Sequence, residues 1–137
     1  MDFDWIPTFS KSLNTAVLLL LGVGLYLRRQ PQRHIPIMLT SFGLDVANVL
    51  LIEVFARSRG KGAVEQGIDS MSGAGSGIER FHIIVSIICI LLYVVAVWSG
   101  LRLRRRGVGR KFHRVNAGFF LTTRLASYVT SFWMGGG

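Results

Sequence analysis

The residues with the widest chemical reach in this 137-residue chain are its three histidines, His34, His82 and His113. Met38 follows His34 one helical turn later. Two neutral imidazoles and a thioether form a donor set that suits copper or haem iron. His34 and His113 each lie next to a cluster of arginines, whose charge would neutralise haem propionates. Covalent haem attachment has no support, because the chain contains no Cys-x-x-Cys-His. A second group is acidic or cationic within apolar surroundings: Asp45, Glu53 and Arg124. Such residues are costly in hydrocarbon, so they turn inward and pair.

The elements that must position these residues are apolar. Half the residues are hydrophobic, yet the net charge is +9. Mean hydropathy is +0.45. Long apolar runs alternate with short arginine-rich stretches, which is the pattern of a polytopic membrane protein and not of a nucleic-acid binder. The expected fold is all-α, a single domain over 1–137, with four transmembrane helices in an antiparallel up-down bundle. The expected helices cover about 10–28, 35–56, 81–102 and 117–134, and a polar loop covers 57–80.

Trp5 near the N-terminus suits a membrane interface, beside the mildly acidic Asp2 and Asp4. The first apolar run lacks a basic region before it and is followed by Arg28 and Arg29, so it reads as a retained helix rather than a signal peptide. Gly22 and Gly24 would let a neighbouring helix approach. Pro36 suits the first turn of the second helix. The glycine-rich stretch from Gly73 to Gly77 has neither a preceding strand nor a following Gly-Lys-Ser. It reads as a flexible linker and not as a phosphate cradle, with a short helix around 63–71 before it. Cys89, the single cysteine, reads as a packing residue.

The arginines set the orientation. The turn between the first two helices and the connector between the last two carry ten of the sixteen Lys and Arg residues. The positive-inside rule puts both in the cytoplasm and both termini on the opposite side. The same arginines would also meet anionic lipid headgroups. Asp45 and Arg124 then lie at matching depths, about 15 Å and about 12 Å from the cytoplasmic ends of their helices. A buried pair is expected there, near Asn48, Thr123 or Ser127. His34, Met38 and His113 gather at the cytoplasmic face. His82 begins its helix at the outer face, where Glu53 would partner it. One metal cannot join all three histidines across about 30 Å of hydrocarbon.

Several of these features recur together: Leu13-Asn14, Arg28-Arg29, His34 to Met38, His82 and His113-Arg114. In this combination the chain resembles the YozB-like family of four-helix bacterial membrane proteins, associated with assembly of haem–copper terminal oxidases. That resemblance implies a bacterial inner-membrane protein that works with other membrane protein subunits, and a haem b or copper ligand set drawn from His34, Met38, His113 and His82. The chain departs from the family in lacking histidines in the loop between the second and third helices, in having a fourth span that bears Arg124 in place of the family's aromatic-rich one, and in a longer, more arginine-rich connector before His113. With no nucleophile–base pair and no phosphate loop, an enzyme is not expected. The expected function is an accessory or assembly protein of a respiratory or other electron-transfer complex. The alternative is a structural subunit embedded in a larger membrane complex with no cofactor of its own.

Overall fold

The computed structural model describes residues 5–133, and these are overwhelmingly helical. Helix α1 covers Trp5–Tyr26, α2 Pro31–Ser58, α3 Ala63–Asp69, α4 Gly77–Arg106 and α5 Arg110–Trp133. Asp2, Asp4 and the far end of the expected fourth span at 134 lie outside the described residues. The chain divides into two compact units, Met1–Gln66 and Gly67–Gly137. The first is built on the pairing of α1 with α2 and the second on the pairing of α4 with α5.

Every long helix starts earlier than hydropathy alone places it, and each shift has a local cause. In α1, Pro7 sits in the first turn, where its missing N–H costs no hydrogen bond. In α2 that role falls to Pro31 and not to Pro36, which lies inside the helix. The residues Gln32 to Ile35 therefore join α2, and the His34 N–H bonds to the Gln30 carbonyl at 2.9 Å. In α4, Ser76 and Glu79 form a reciprocal cap: the Ser76 hydroxyl accepts the Glu79 N–H at 3.3 Å and the Glu79 carboxylate accepts the Ser76 N–H at 2.9 Å. At its far end α4 runs on through Arg104, Arg105 and Arg106, cations that suit the negative end of the helix dipole. It stops at Gly107, whose φ of +69° is left-handed and whose N–H closes on the Leu103 carbonyl at 2.8 Å. With Gly109 also left-handed at φ +90°, the connector shrinks to residues 107–109, and the basic stretch before His113 is helical.

Between the first two long helices and the last two, the glycine-rich stretch is more structured than a linker. The short α3 is followed by one wide helical turn, Ser70–Ala74, which ends where Gly73 takes φ +127°. Arg80 holds the exit of this turn by donating from Nε and Nη2 to the Gly75 carbonyl, at 3.2 and 3.0 Å.

Among the described residues, three helices are long and apolar enough to cross a membrane: α1, α2 and α4, with α4 the most apolar. At about 1.5 Å per residue even the shortest of them exceeds about 30 Å. α5 is long enough but more polar.

In the first unit, α1 buries Ile6, Ser10, Val17, Leu21 and Gly24 on one face. α2 answers with Ser41 and Asn48, two turns apart. The closest approach is at Gly24, where a Cβ would fall 2.8 Å from Met38 Sδ and 3.3 Å from Ile37 Cγ2. Gly22 faces open space. Small residues at such crossings let helix backbones close up and gain dispersion contacts, which is the main attraction between helices in lipid. The opposite faces are apolar and bare, with Leu19 and Val54 each about two-thirds exposed.

In the second unit, Val85, Cys89, Tyr93, Ala96 and Ser99 of α4 face Asn116, Phe120, Arg124, Ser127 and Thr130 of α5. The Tyr93 and Phe120 rings stack with centroids 4.2 Å apart. Cys89 is buried, as expected of a packing residue. The first turn of α5 exposes Arg110, Lys111, Phe112 and Arg114; beyond it the exposed residues are Val115, Phe119, Leu125, Val129, Phe132 and Trp133, with Gly118 and Thr122. Over that stretch Asn116, Arg124, Ser127 and Thr130 are buried while large apolar side chains face out, which is inverted relative to a water-soluble helix.

The Gly24 crossing makes a differential prediction. Gly24→Leu forces α2 away and should cost about 1–3 kcal/mol, as overpacking does. Gly22→Leu, in open space, should be nearly neutral. Unfolding of both variants in mixed micelles against the parent measures the difference.

Candidate functional site

The polar side chains between α4 and α5 form a ladder of hydrogen bonds. At one end, His82 Nδ1 lies 2.7 Å from Thr130 Oγ1. The Thr130 hydroxyl hydrogen is used on its own helix, on the Ala126 carbonyl at 2.9 Å. Thr130 Oγ1 therefore accepts, and His82 donates from Nδ1. The other ring nitrogen, Nε2, meets Ser86 Oγ at 3.4 Å, and Ser86 Oγ meets Ser127 Oγ at 2.9 Å. In the middle, Asn116 Nδ2 donates to the Leu92 carbonyl at 3.1 Å. At the other end, Ser99 Oγ lies 2.9 Å from His113 Nδ1. Ser99 gives its hydrogen to the Ala96 carbonyl at 3.2 Å, so His113 also donates from Nδ1. The His113 ring lies against Gly100, where a Cβ would come within 3.1 Å of its Cε1.

His34 follows the same rule in the first unit. Its Nδ1 donates to the Gly24 carbonyl at 2.6 Å. Each of the three histidines is thus oriented by an Nδ1–H bond to a protein oxygen. Metal-ligating histidines are held in this way, with one N–H tied to a carbonyl or other acceptor and the second nitrogen presented. In neutral structural histidines the same arrangement simply satisfies the donor.

The candidate ligands divide between the units. His34 and Met38 lie on one face of α2, both against Gly24. His82 and His113 lie near opposite ends of the α4–α5 ladder. Among the described residues, no group of three or more His, Cys, Asp or Glu is placed to hold a metal. Within its own unit, His34 with Met38 supplies two donors. That fits an axial imidazole, or part of a shared site, and is too few for a closed metal centre.

The charged residues are placed as follows. Asp45 is half-buried on α2 in the first unit, and Arg124 is buried on α5 in the second; neither is without a partner. Asn48 is buried on α2. Thr123 turns its hydroxyl back to its own helix, onto the Phe119 and Phe120 carbonyls. Glu53 accepts from Arg57 Nε at 2.6 Å and from the Val64 N–H at 3.2 Å. The pair with the mostly exposed Arg57 lies along α2, and the bond from Val64 ties the end of α2 to the start of α3. The bonds found for Glu53 and for His82 lie inside their own units.

Sequence reasoning missed most of the ladder. Ser86, Ser99, Asn116 and Thr130 were not singled out, although Asn116, Ser127 and Thr130 share a helical face with Phe120 and Arg124. That spacing was the available signal.

Comparison of the chain with protein-family models, with curated proteins and with solved structures finds no match.

The ladder predicts unequal costs. Thr130→Val removes the acceptor of a part-buried His82 N–H and should cost about 1–3 kcal/mol. Ser127→Ala leaves Ser86 a second partner in His82 and should cost less, near the average of about 0.6 kcal/mol for interhelical hydrogen bonds in lipid. A double-mutant cycle on Ser86 and Ser127 in the same unfolding assay reads their coupling directly.

Proposed function

We propose that the protein is a small integral membrane accessory or assembly protein of a respiratory or other electron-transfer complex, in the bacterial inner membrane, with α5 as a fourth span and both termini on the non-cytoplasmic side. The observation that carries this reading is the inverted polarity of the α4–α5 hairpin. Polar side chains bond to one another across the seam between the helices, the exposed residues of α4 from Phe81 to Trp98 are all apolar, and those of α5 from Val115 to Trp133 are apolar apart from Gly118 and Thr122. Such a hairpin belongs in lipid or against other membrane subunits, because only an apolar medium leaves its surface at no cost. The low hydropathy of α5 comes from its seam residues, so its composition does not argue against a span. The resemblance to the YozB-like family supplies the link to oxidase assembly.

For a cofactor, the residues on offer are His34 with Met38, and His113 and His82. Their fixed Nδ1–H bonds support an oriented ligand role, for haem b or copper completed by further donors. The structural-subunit reading draws on the same bonds, since a histidine that is already satisfied needs no metal. An absorption spectrum of the detergent-purified protein, oxidised and reduced, with metal analysis of the same sample, separates the two. Expected is a Soret band or bound copper that falls in His34→Ala or His113→Ala. A blank spectrum with no metal, together with stoichiometric co-purification of large partners, would leave the embedded-subunit reading.

Topology is tested independently. In a Cys89→Ser background, Gln30→Cys and Val108→Cys should react with a membrane-impermeant thiol reagent only from the cytoplasmic side. Gln66→Cys should react only from the outer side. Labelling of Val108→Cys and Gln66→Cys from the same side would remove α4 as a span.

A further inference from the structure

We propose that the end of α4 carries a binding site for the headgroup of an anionic phospholipid, built from Trp98, Leu101, Arg102, Arg105 and Arg106. These five residues line a groove of ≈ 490 Å³. They fall on one face of the helix, at spacings of three and four residues from Trp98. The Arg102 guanidinium carbon lies 5.3 Å from the centre of the Trp98 ring, so the tryptophan holds that cation in place.

Charge selects the ligand. The sequence carries no Asp or Glu after Glu79, so α4 beyond its first turn and the whole of α5 offer these arginines no carboxylate. Among the described residues, Arg102, Arg105 and Arg106 form no ion pair or hydrogen bond, whereas Arg57 and Arg80 have partners. The end of a helix adds about half a negative charge, which three guanidinium groups exceed. A net cationic groove remains, with planar, multiply donating groups suited to phosphate oxygens.

Depth selects a lipid over a soluble phosphate. The apolar stretch of α4 from Phe81 to Leu101 is about 30 Å long, the thickness of a bilayer core. Trp98 then sits at the level where indoles favour the interface, and the arginines one turn further sit at the level of phosphates. Leu101 and the exposed Trp98 ring give the first methylenes of an acyl chain an apolar wall. The site rests on reading α4 as a span, and the partner it takes is a diacyl phosphate ester with net negative charge.

The test uses the full chain in detergent, with native mass spectrometry reading adducts of dioleoylphosphatidylglycerol, tetraoleoyl cardiolipin and dioleoylphosphatidylcholine. The two anionic lipids should be retained and phosphatidylcholine should not. R102Q/R105Q/R106Q should weaken anionic-lipid binding on the order of 100-fold, from roughly a fivefold contribution per interfacial arginine. W98L, which keeps every charge, should weaken it a few-fold. R110Q/K111Q/R114Q removes as much charge next to the groove and should leave binding within about threefold. Equal loss in that control would replace the groove with diffuse attraction. Equal retention of phosphatidylcholine would remove the headgroup selectivity. Full competition by millimolar glycerol 3-phosphate would make the ligand a soluble phosphate. Circular dichroism and the elution profile confirm that each variant is folded. Carbonate extraction of membranes checks the span itself, so failure of the span and failure of the site give different results.

Discussion

The constraint on which the rest of the structure depends is that a polar group on a helix with an apolar outer face must find its partner on a neighbouring helix. The α4–α5 hairpin meets this with four side-chain contacts spread along its length, His82 to Thr130, Ser86 to Ser127, Asn116 to Leu92 and His113 to Ser99. These bonds fix the register of the two helices, because sliding either by one turn would separate every pair at once. The first unit uses the other device available in lipid. Gly24 lets α2 approach, Met38 and Ile37 fill the contact, and His34 locks it with a bond to the glycine carbonyl.

This arrangement gives the histidines two roles in one geometry. Each Nδ1–H holds a helix contact together, and each Nε2 keeps the orientation imposed by that bond. A histidine serving only as a strut would look the same from the Nδ1 side. The difference lies in what reaches Nε2. For His82 that is a serine hydroxyl at 3.4 Å, already shared with Ser127. The distribution of charge reinforces the same polarity, with basic residues concentrated at one end of each long hairpin and the ion pair of Arg57 with Glu53 at the other end of α2.

The membrane-helical character was legible from hydropathy alone, and the basic turns were legible from composition. Helix limits were less so. The expected start at 81 overlooked Ser76 and Glu79, a capping pair visible in the sequence at the right spacing. The expected start at 117 treated Arg110 to Arg114 as a loop because of its charge, although Gly107 and Gly109 are the residues that break the helix. Pro36 drew the start of α2 too late because Pro31, a better first-turn residue, lay in what looked like a turn. The ladder was hidden for a different reason. Serine, threonine and asparagine are common in membrane helices, and only the pairing of two helices shows which of them meet.

The three-residue turn at Gly107 also sets an order of events during synthesis. α4, the most hydrophobic helix, leaves the ribosome before α5, the least hydrophobic of the four long ones. A segment bearing Arg124 and Asn116 enters a bilayer poorly alone. Here it emerges tethered to a helix whose serines, histidine and carbonyls complement it. The short tether keeps the entropic cost of pairing small. The chain thus makes its most polar long helix after its most apolar one, beside a template that matches it.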